Sequence, residues 1–399
     1  MTLILQLIDI LGCTAAAATL PGSMELLFLT AGGVMKPEAV PARSDAPIFV
    51  RPVFVVPAHN EENQISECVH SLLRCSHTGV ASPVFVIADN CSDNTAAVAA
   101  EAGANIVVRT NPALRGKGYA LHFAFEALMA QGFDLFIVVD ADTTVTPNLV
   151  TDFLRAVELG ADAVQCRYKV ENVSGSMRTR WMNIALMAFN VLRLRGRDRF
   201  GLSAGIMGNG FALTRSTLEK VPYDSTSVVE DLEYHLRLVR SGLRVRFIDT
   251  ATVSAEMPTA GKGVSTQRSR WEGGRLQMLR QHSVRMAGEV VRGRFRLLEP
   301  LLDLLLLPLA YHLLLLLFAL VTPILAVRIY SAGALTLVVV HLCAAIAVGG
   351  GGLRDVVALL TAPLYVVWKI RVVPQLIYNS GKNAVWVRTE RSPRKEGAK

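Results

Sequence analysis

The sequence predicts an α/β domain with a mostly parallel sheet and helices on both faces, set between apolar segments at its two ends. Three observations predict it. Between Pro47 and about Glu289, short apolar runs alternate with amphipathic ones, the pattern of strand–helix repeats. Polar clusters follow three of those runs directly, where ligands collect in parallel sheets, outside the carboxyl ends of the strands. The chain is 51% hydrophobic with a mean hydropathy of +0.37, and the excess sits in the terminal segments.

The middle of the chain reads element by element. Val53–Val56, Val84–Ala88, Ile106–Val108 and Leu135–Val139 are expected as buried strands. Gln64–Arg74, Thr95–Glu101 and Lys117–Gln131 are expected as the helices between them, and Leu232–Val239 as a later amphipathic helix. No internal repeat is visible.

The ends read as membrane elements. Leu3–Leu20 is apolar apart from Gln6, Asp9 and two threonines, breaks at Pro21-Gly22 and resumes over Leu26–Val34. No basic stretch precedes it, so it reads as an uncleaved anchor kinked at Pro21 rather than a signal peptide. A pair of interfacial helices is the alternative. A span needs roughly 20 apolar residues, which Leu301–Val327 exceeds and Ala332–Val348 approaches. Lys36, Arg43 and Arg51, then Arg292, Arg294 and Arg296, then Arg388–Lys399 can all be cytoplasmic if one span precedes the middle and two follow it. The expected boundaries are a 1–35 anchor, a 36–47 linker, a 48–290 cytosolic domain, two spans in 298–351, an interfacial helix over 352–380 and a 381–399 basic tail. The net charge of +8 then has a membrane explanation through anionic lipid, with no nucleic-acid footprint required. Trp181 and the arginines of Arg178–Arg199 read as a basic helix and loop facing the surface or the membrane. The six cysteines form no CxxC pair and no cluster with His, against a disulfide framework or a zinc site.

The motifs carry the chemistry. Pro57-Ala-His-Asn-Glu61 leaves the first strand through a turn fixed by Pro57, into a helix capped near Asn63. Glu61 there can accept from ribose hydroxyls or serve as an ordinary acidic cap. Asp89 ends the second strand as a candidate partner for a base N–H, while Ser92 or Asp93 suits the cap of the next helix. Arg115-Gly-Lys-Gly118 opens a helix where Lys117 can neutralise a phosphate, without P-loop spacing. Asp140-Ala-Asp142 places two carboxylates at a strand end, suited to Mg²⁺ or Mn²⁺ with a diphosphate completing the shell. The Gly-rich Gly201–Phe211 can press close to a sugar, with Asn209 donating to a hydroxyl. Glu230-Asp231 stands at a helix N-terminus, with Asp231 the candidate base for an attacking hydroxyl. Gln267-Arg268-Ser-Arg270-Trp271 joins guanidinium groups suited to phosphate with an indole suited to a sugar face. Without the acidic trio upstream it would read as an interfacial anchor.

In this order, the acidic sites and the Q-R-x-R-W set resemble the membrane-bound inverting group of family 2 glycosyltransferases, which includes cellulose, hyaluronan, chitin-oligosaccharide and poly-N-acetylglucosamine synthases. The resemblance runs from about Val53 to Arg280 and into the flanking apolar segments. It implies a GT-A fold, with Ala58, Glu61 and Asp89 at uridine and Asp140 and Asp142 at diphosphate and metal. It also implies Asp231 as general base, Glu230 beside it, Gln267, Arg268 and Arg270 on the diphosphate and Trp271 at the acceptor. Several of these synthases carry Thr where Val229 precedes the Glu-Asp pair. The implied activity is inverting transfer from a UDP-sugar to a growing β-linked saccharide at the inner face of a bacterial plasma membrane. Transfer of one sugar to a lipid carrier and a silent nucleotide-sugar-binding scaffold stay open. The implied partners are the donor, a saccharide or lipid-linked saccharide acceptor and membrane lipid, with export or pore proteins left open. A glycosidase would need paired carboxylates without the metal and diphosphate apparatus.

Overall fold

The structure is a computed structural model that describes residues 2–36, 50–77, 80–225, 227–257 and 262–361. The expected linker after residue 36 and the basic tail lie outside the described residues, as does the expected interfacial segment beyond 361. The chain divides into two units: residues 37–179, 203–268 and 385–399 in one, and 1–36, 180–202 and 269–384 in the other.

The first unit is built on eight strands: β1 (Pro52–Ala58), β2 (Val84–Asp89), β3 (Asn105–Arg109), β4 (Leu135–Val138), β5 (Thr143–Val145), β6 (Ala163–Val170), β7 (Phe211–Thr214) and β8 (Val245–Ala255). They form one sheet in the order β3-β2-β1-β4-β7-β6-β8-β5. β1, β2, β3 and β4 pair in parallel, and β6 pairs in parallel with β8. β7 is antiparallel to both β4 and β6, and β5 is antiparallel to β8. Only β5 and β7 therefore run against the rest, which makes the sheet mixed with one predominant direction.

Alternation along β1 explains why both faces are covered. Phe54, Val56 and Ala58 join one core with Ile65, Leu72, Leu149 and Phe153 from helices Ile65–Leu73 and Leu149–Glu158. Val53 and Val55 join the other with Leu121, Phe125, Leu218 and Tyr234 from helices Lys117–Ala130, Arg215–Lys220 and Glu230–Arg240. Period-2 alternation sends successive side chains to opposite faces, so a continuous apolar run is what a doubly covered strand requires. Pro57 lies inside β1, opposite Ile87 of β2, rather than in the turn expected there. The Phe54 N–H bonds the Pro83 carbonyl on the β2 side, so the N–H that Pro57 lacks would face β4. The β1–β4 pairing has already ended at Val55↔Val138, and no ladder bond is lost. The turn comes at Asn60, with φ of 57°, a left-handed conformation that Asn tolerates.

The second unit is helical. Thr2–Val34 is one helix that continues through Pro21, rather than two segments. Helix Met177–Met187 passes through a π turn, Ala188–Leu192, into helix Arg193–Arg199. The last packs tightly on the N-terminal helix. A Cβ on Gly196 would meet the Leu29 carbonyl oxygen at 2.4 Å. Then come Lys262–Val291, which crosses the boundary between the units, and Leu298–Leu305, Leu309–Leu320, Leu325–Gly349 and Leu353–Leu359.

Among the described residues two helices are long and apolar enough to cross a membrane, Gln6–Val34 and Leu325–Gly349. Leu301–Val327, expected as one span, is instead broken into helices that meet at 78°. The break begins at Leu306, whose ψ of 109° is extended, and Pro308 stands at the N-cap of Leu309–Leu320 with ψ of 129°. A proline disfavours the helical conformation in the residue before it and suits the start of a new helix. The segment of Arg178–Arg199, expected to face the surface or the membrane, turns Arg193 and Arg197 inward, because Glu25, Glu299 and Asp303, far away in sequence, compensate them. Trp181 is also taken up internally, donating to the Ala358 carbonyl at 3.1 Å.

Candidate active site

Three strand ends and two helix N-termini build the candidate site in the α/β unit. β1 and β2 deliver the first part. Asp89 is 5% exposed and accepts from Arg109 Nη1 at 2.5 Å and from Asn90 Nδ2 at 3.0 Å. His59 Nδ1 lies 2.8 Å from the Asp89 carbonyl oxygen. The backbone N–H of Glu61 donates to Thr95 Oγ1 at 2.8 Å, and that of Glu62 donates to Asp93 Oδ2 at 3.3 Å. Burial raises the Asp93 carboxyl, but hydrogen bonds from Thr95 and the Glu62 backbone outweigh it and hold the group below the usual carboxylate range. Ala58 ends β1, beside Ala88 of β2. The expected uridine residues therefore share one edge.

The second part is the turn after β4. Lys117, the first residue of its helix, donates to Asp140 Oδ1 and to the Gly208 carbonyl. Asp142 accepts from Thr143 Oγ1 at 3.1 Å. Asn209 Oδ1 accepts from the Asp140 N–H at 3.1 Å while its Nδ2 donates to Thr143 Oγ1 at 2.9 Å. Asn209 was expected to serve a sugar hydroxyl. It is 5% exposed, and both ends of its amide bind the turn, so that it braces the Asp140–Thr143 segment.

The third part is Asp231, in the first turn of Glu230–Arg240. Its Oδ1 accepts from the Leu232 N–H at 2.8 Å. Burial pushes its carboxyl above the ordinary value of 3.8, and the Leu232 N–H and the Lys117 ammonium pull against that. Gly208 is what lets the Gly-rich segment pass so close. Its φ is +78°, and a Cβ there would sit 3.0 Å from Asp231 Oδ2. Lys117, Asp140, Gly208 and Asp231 thus form one contiguous group.

Two important residues escaped the sequence reading. Arg109 ends β3 in register with Asp89, and oppositely charged residues closing neighbouring strands are the signal that would have found it. Gln165 is fully buried. Its amide donates to the Asn209 and Gly210 carbonyls at 2.8 and 3.1 Å and accepts from the Met207 N–H at 2.9 Å, shaping the Gly-rich segment. A lone Gln inside an apolar strand gives no such signal.

The Gln267–Trp271 motif lies near the start of helix Lys262–Val291. The side chains of Gln267, Arg268 and Arg270 lie outside the described ones, and Trp271 is 38% exposed.

The strand-end carboxylates fit a divalent cation. Asp140 retains 37% side-chain exposure and already holds a cationic group, the Lys117 ammonium. Among the described residues no three His, Cys, Asp or Glu side chains gather into a complete cage. Two carboxylates with the remaining positions left to substrate phosphate and water suit Mg²⁺ or Mn²⁺.

The eight-stranded mixed sheet covered by helices on both faces is the GT-A fold. The profile described as "Glycosyltransferase like family 2" matches residues 51–274, more than half of the chain, and the chain belongs to that family. It is 28% identical over 231 residues to the probable glycosyltransferase YdaM of Bacillus subtilis, covering 55% of this chain and 54% of that one. It is also 28% identical over 230 residues to the beta-monoglucosyldiacylglycerol synthase of Synechocystis, covering 55% and 47%. The chain thus spans about half the length of these curated relatives. A solved mannosyltransferase from Pyrobaculum calidifontis, in complex with GDP-Man and Mn²⁺, covers 94% of this chain and 96% of its own at a TM-score of 0.54 and 16% identity, a likeness of fold.

Proposed function

We propose that this glycosyltransferase transfers a sugar from a nucleoside-diphosphate donor to a hydroxyl of a membrane-borne acceptor, with inversion at the anomeric carbon. The observation that carries the reading is the contiguous group in which Lys117 joins Asp140 to the Gly208 carbonyl, with Gly208 against Asp231. A candidate base and a candidate diphosphate residue are then linked through Lys117 and Gly208.

Asp231 takes the proton of the acceptor hydroxyl as its oxygen attacks the anomeric carbon. The bond to the diphosphate breaks in the same displacement, and the nucleoside diphosphate leaves. Asp140 and Asp142 would hold Mg²⁺ or Mn²⁺, which when bound offsets the charge that develops on the leaving group. Lys117 and the arginines of the 267–271 motif add electrostatic stabilisation of the same charge. Ala58, Glu61 and Asp89 receive the nucleoside, which the resemblance makes uridine, and Trp271 and Glu230 serve the acceptor. One base and one in-line attack turn an α-linked donor into a β-linked product.

A membrane location is supported by the two apolar helices of spanning length and the one bent helix pair. A lipid acceptor is supported by the relative whose name describes glycolipid synthesis. The Gln-Arg-x-Arg-Trp set favours a growing saccharide as the second reading. The test uses purified full-length chain in lipid, a panel of UDP- and GDP-sugars and Mn²⁺ or Mg²⁺. Nucleotide release from one donor, with one sugar on a lipid product, is expected; a ladder of products selects the saccharide reading. Donor binding without release from any donor or acceptor lipid would overturn transfer in favour of a scaffold.

A further inference from the structure

Within the α/β unit, the Lys117 ammonium donates to Asp140 Oδ1 and to the Gly208 carbonyl. The backbone beneath it is fixed. Lys117 opens helix Lys117–Ala130, and the next residue, Gly118, is pressed so closely on its neighbour that a Cβ there would meet the Ser225 carbonyl oxygen at 2.3 Å. The acceptors are fixed as well. Asn209 braces the Asp140 N–H, and Gln165 holds the Met207 N–H and the Asn209 carbonyl on either side of Gly208. Between a held helix and a held loop, the part of this contact that can move is the lysine side chain.

The electrostatics suit exchange. A cation in the first turn of a helix opposes the helix dipole, which favours negative charge there, and Asp140 supplies the compensating carboxylate. Neither partner is sealed from water, with side chains 22% and 37% exposed, and an ion pair open to solvent is held only weakly. Lysine carries a point charge with three donors on a flexible stem, without the rigid fork of arginine. A divalent cation drawn to the same carboxylate oxygen meets the ammonium as a like charge at close range, so the two compete for Asp140. A diphosphate offers the ammonium other oxygens at the same helix N-terminus.

We propose that Lys117 is an internal counter-ion of Asp140, which competes with the divalent cation for that carboxylate and passes to the donor's diphosphate when nucleotide binds. The inference deepens the functional reading above, in which Asp140 and Asp142 hold the metal and Lys117 faces the leaving group. With metal alone, Lys117 opposes binding. With nucleotide present, Lys117 leaves Asp140 and the opposition is lifted. Nucleotide then raises metal affinity by more than direct coordination gives, and by linkage metal raises nucleotide affinity by the same factor.

The test measures Mn²⁺ binding by electron paramagnetic resonance, with and without UDP, on the full chain in lipid. Lys117→Met and Lys117→Gln remove the charge, Lys117→Arg keeps it, and Asp140→Asn marks the site. Thermal melts confirm that each is folded, and titration calorimetry gives UDP affinity without metal. Lys117→Met and Lys117→Gln are expected to bind Mn²⁺ about tenfold more tightly than the parent without UDP, and to gain about tenfold less from UDP. Their affinity for UDP without metal should fall. Lys117→Arg should bind Mn²⁺ nearer the parent than the uncharged variants do, and Asp140→Asn should lose the ion. Mn²⁺ bound equally by the parent and the uncharged variants would overturn the proposal alone, as would unchanged UDP affinity or an Arg variant that matches Lys117→Met. Mn²⁺ bound by no form with or without UDP, or retained by Asp140→Asn, would overturn the metal reading and the proposal with it.

Discussion

The two units treat charge in opposite ways. In the α/β unit, Asp140 keeps 37% side-chain exposure and is held by a single flexible lysine. In the helical unit, Asp303 is 8% exposed and shared by three arginines. The first arrangement can exchange its partner for a substrate or a metal at modest cost. The second has no charge to spare, because removing any member leaves an opposite charge buried without compensation. Poised charge marks the candidate site of the α/β unit, and closed charge marks the packing of the helical unit.

The largest expected effect breaks the poised side. Asp231→Asn should lower kcat by about 10³ with folding unchanged, since general bases contribute about 10²–10⁴. The sign of the pH dependence follows from burial. A carboxyl raised above 3.8 must lose its proton before it can act. Activity should therefore fall as pH drops through that raised value, with an acidic limb above the ordinary Asp value in a pH–rate profile.

Arg193→Leu breaks the closed side. With Glu25, Glu299 and Asp303 left facing two arginines, the helical unit should lose about 3–5 kcal/mol. Thermal melts in lipid check this, and the α/β unit should keep its affinity for nucleotide. Arg109→Gln tests the intermediate case, since Asp89 is buried but at the site. Loss of its guanidinium partner should weaken nucleotide binding and lower stability by about 1–3 kcal/mol, the cost of an incompletely paired buried group. Titration calorimetry and melting would separate the two effects. Val229→Thr is the smallest change. Val229 is the N-cap of Glu230–Arg240 and makes no side-chain cap bond, so a hydroxyl there should add about 0.5–1 kcal/mol. A melting shift without change in kcat would mark Thr at this position as a cap; a gain in acceptor affinity would mark it as an acceptor contact.

The sequence foretold best where local periodicity decides structure. The expected helix Thr95–Glu101 is found with those bounds, and Lys117–Gln131 ends one residue earlier, at Ala130. β1 and β2 extend beyond their expected cores. Propensity alone would stop β1 before Pro57, yet a proline is tolerated in a strand once the ladder on one side has ended. The outline of the candidate site is legible in the sequence because Asp89, Asp140 and Asp231 stand at or beside element ends, where propensity alone locates them. What escaped depends on residues far apart in the chain. The inward turn of Arg193 and Arg197 needs Glu25 and Asp303, and the bracing role of Asn209 needs Thr143 across the turn. Apolar content hid the break between Leu305 and Leu309, since hydropathy counts residues and does not weigh the extended backbone at Leu306 and Pro308.

The most direct measurement is the anomeric configuration of the product, read by proton NMR after reaction with an α-linked nucleotide sugar. A β-linked product, absent with Asp231→Asn, is the result expected of one base and one displacement. An α-linked product would contradict the account at its centre.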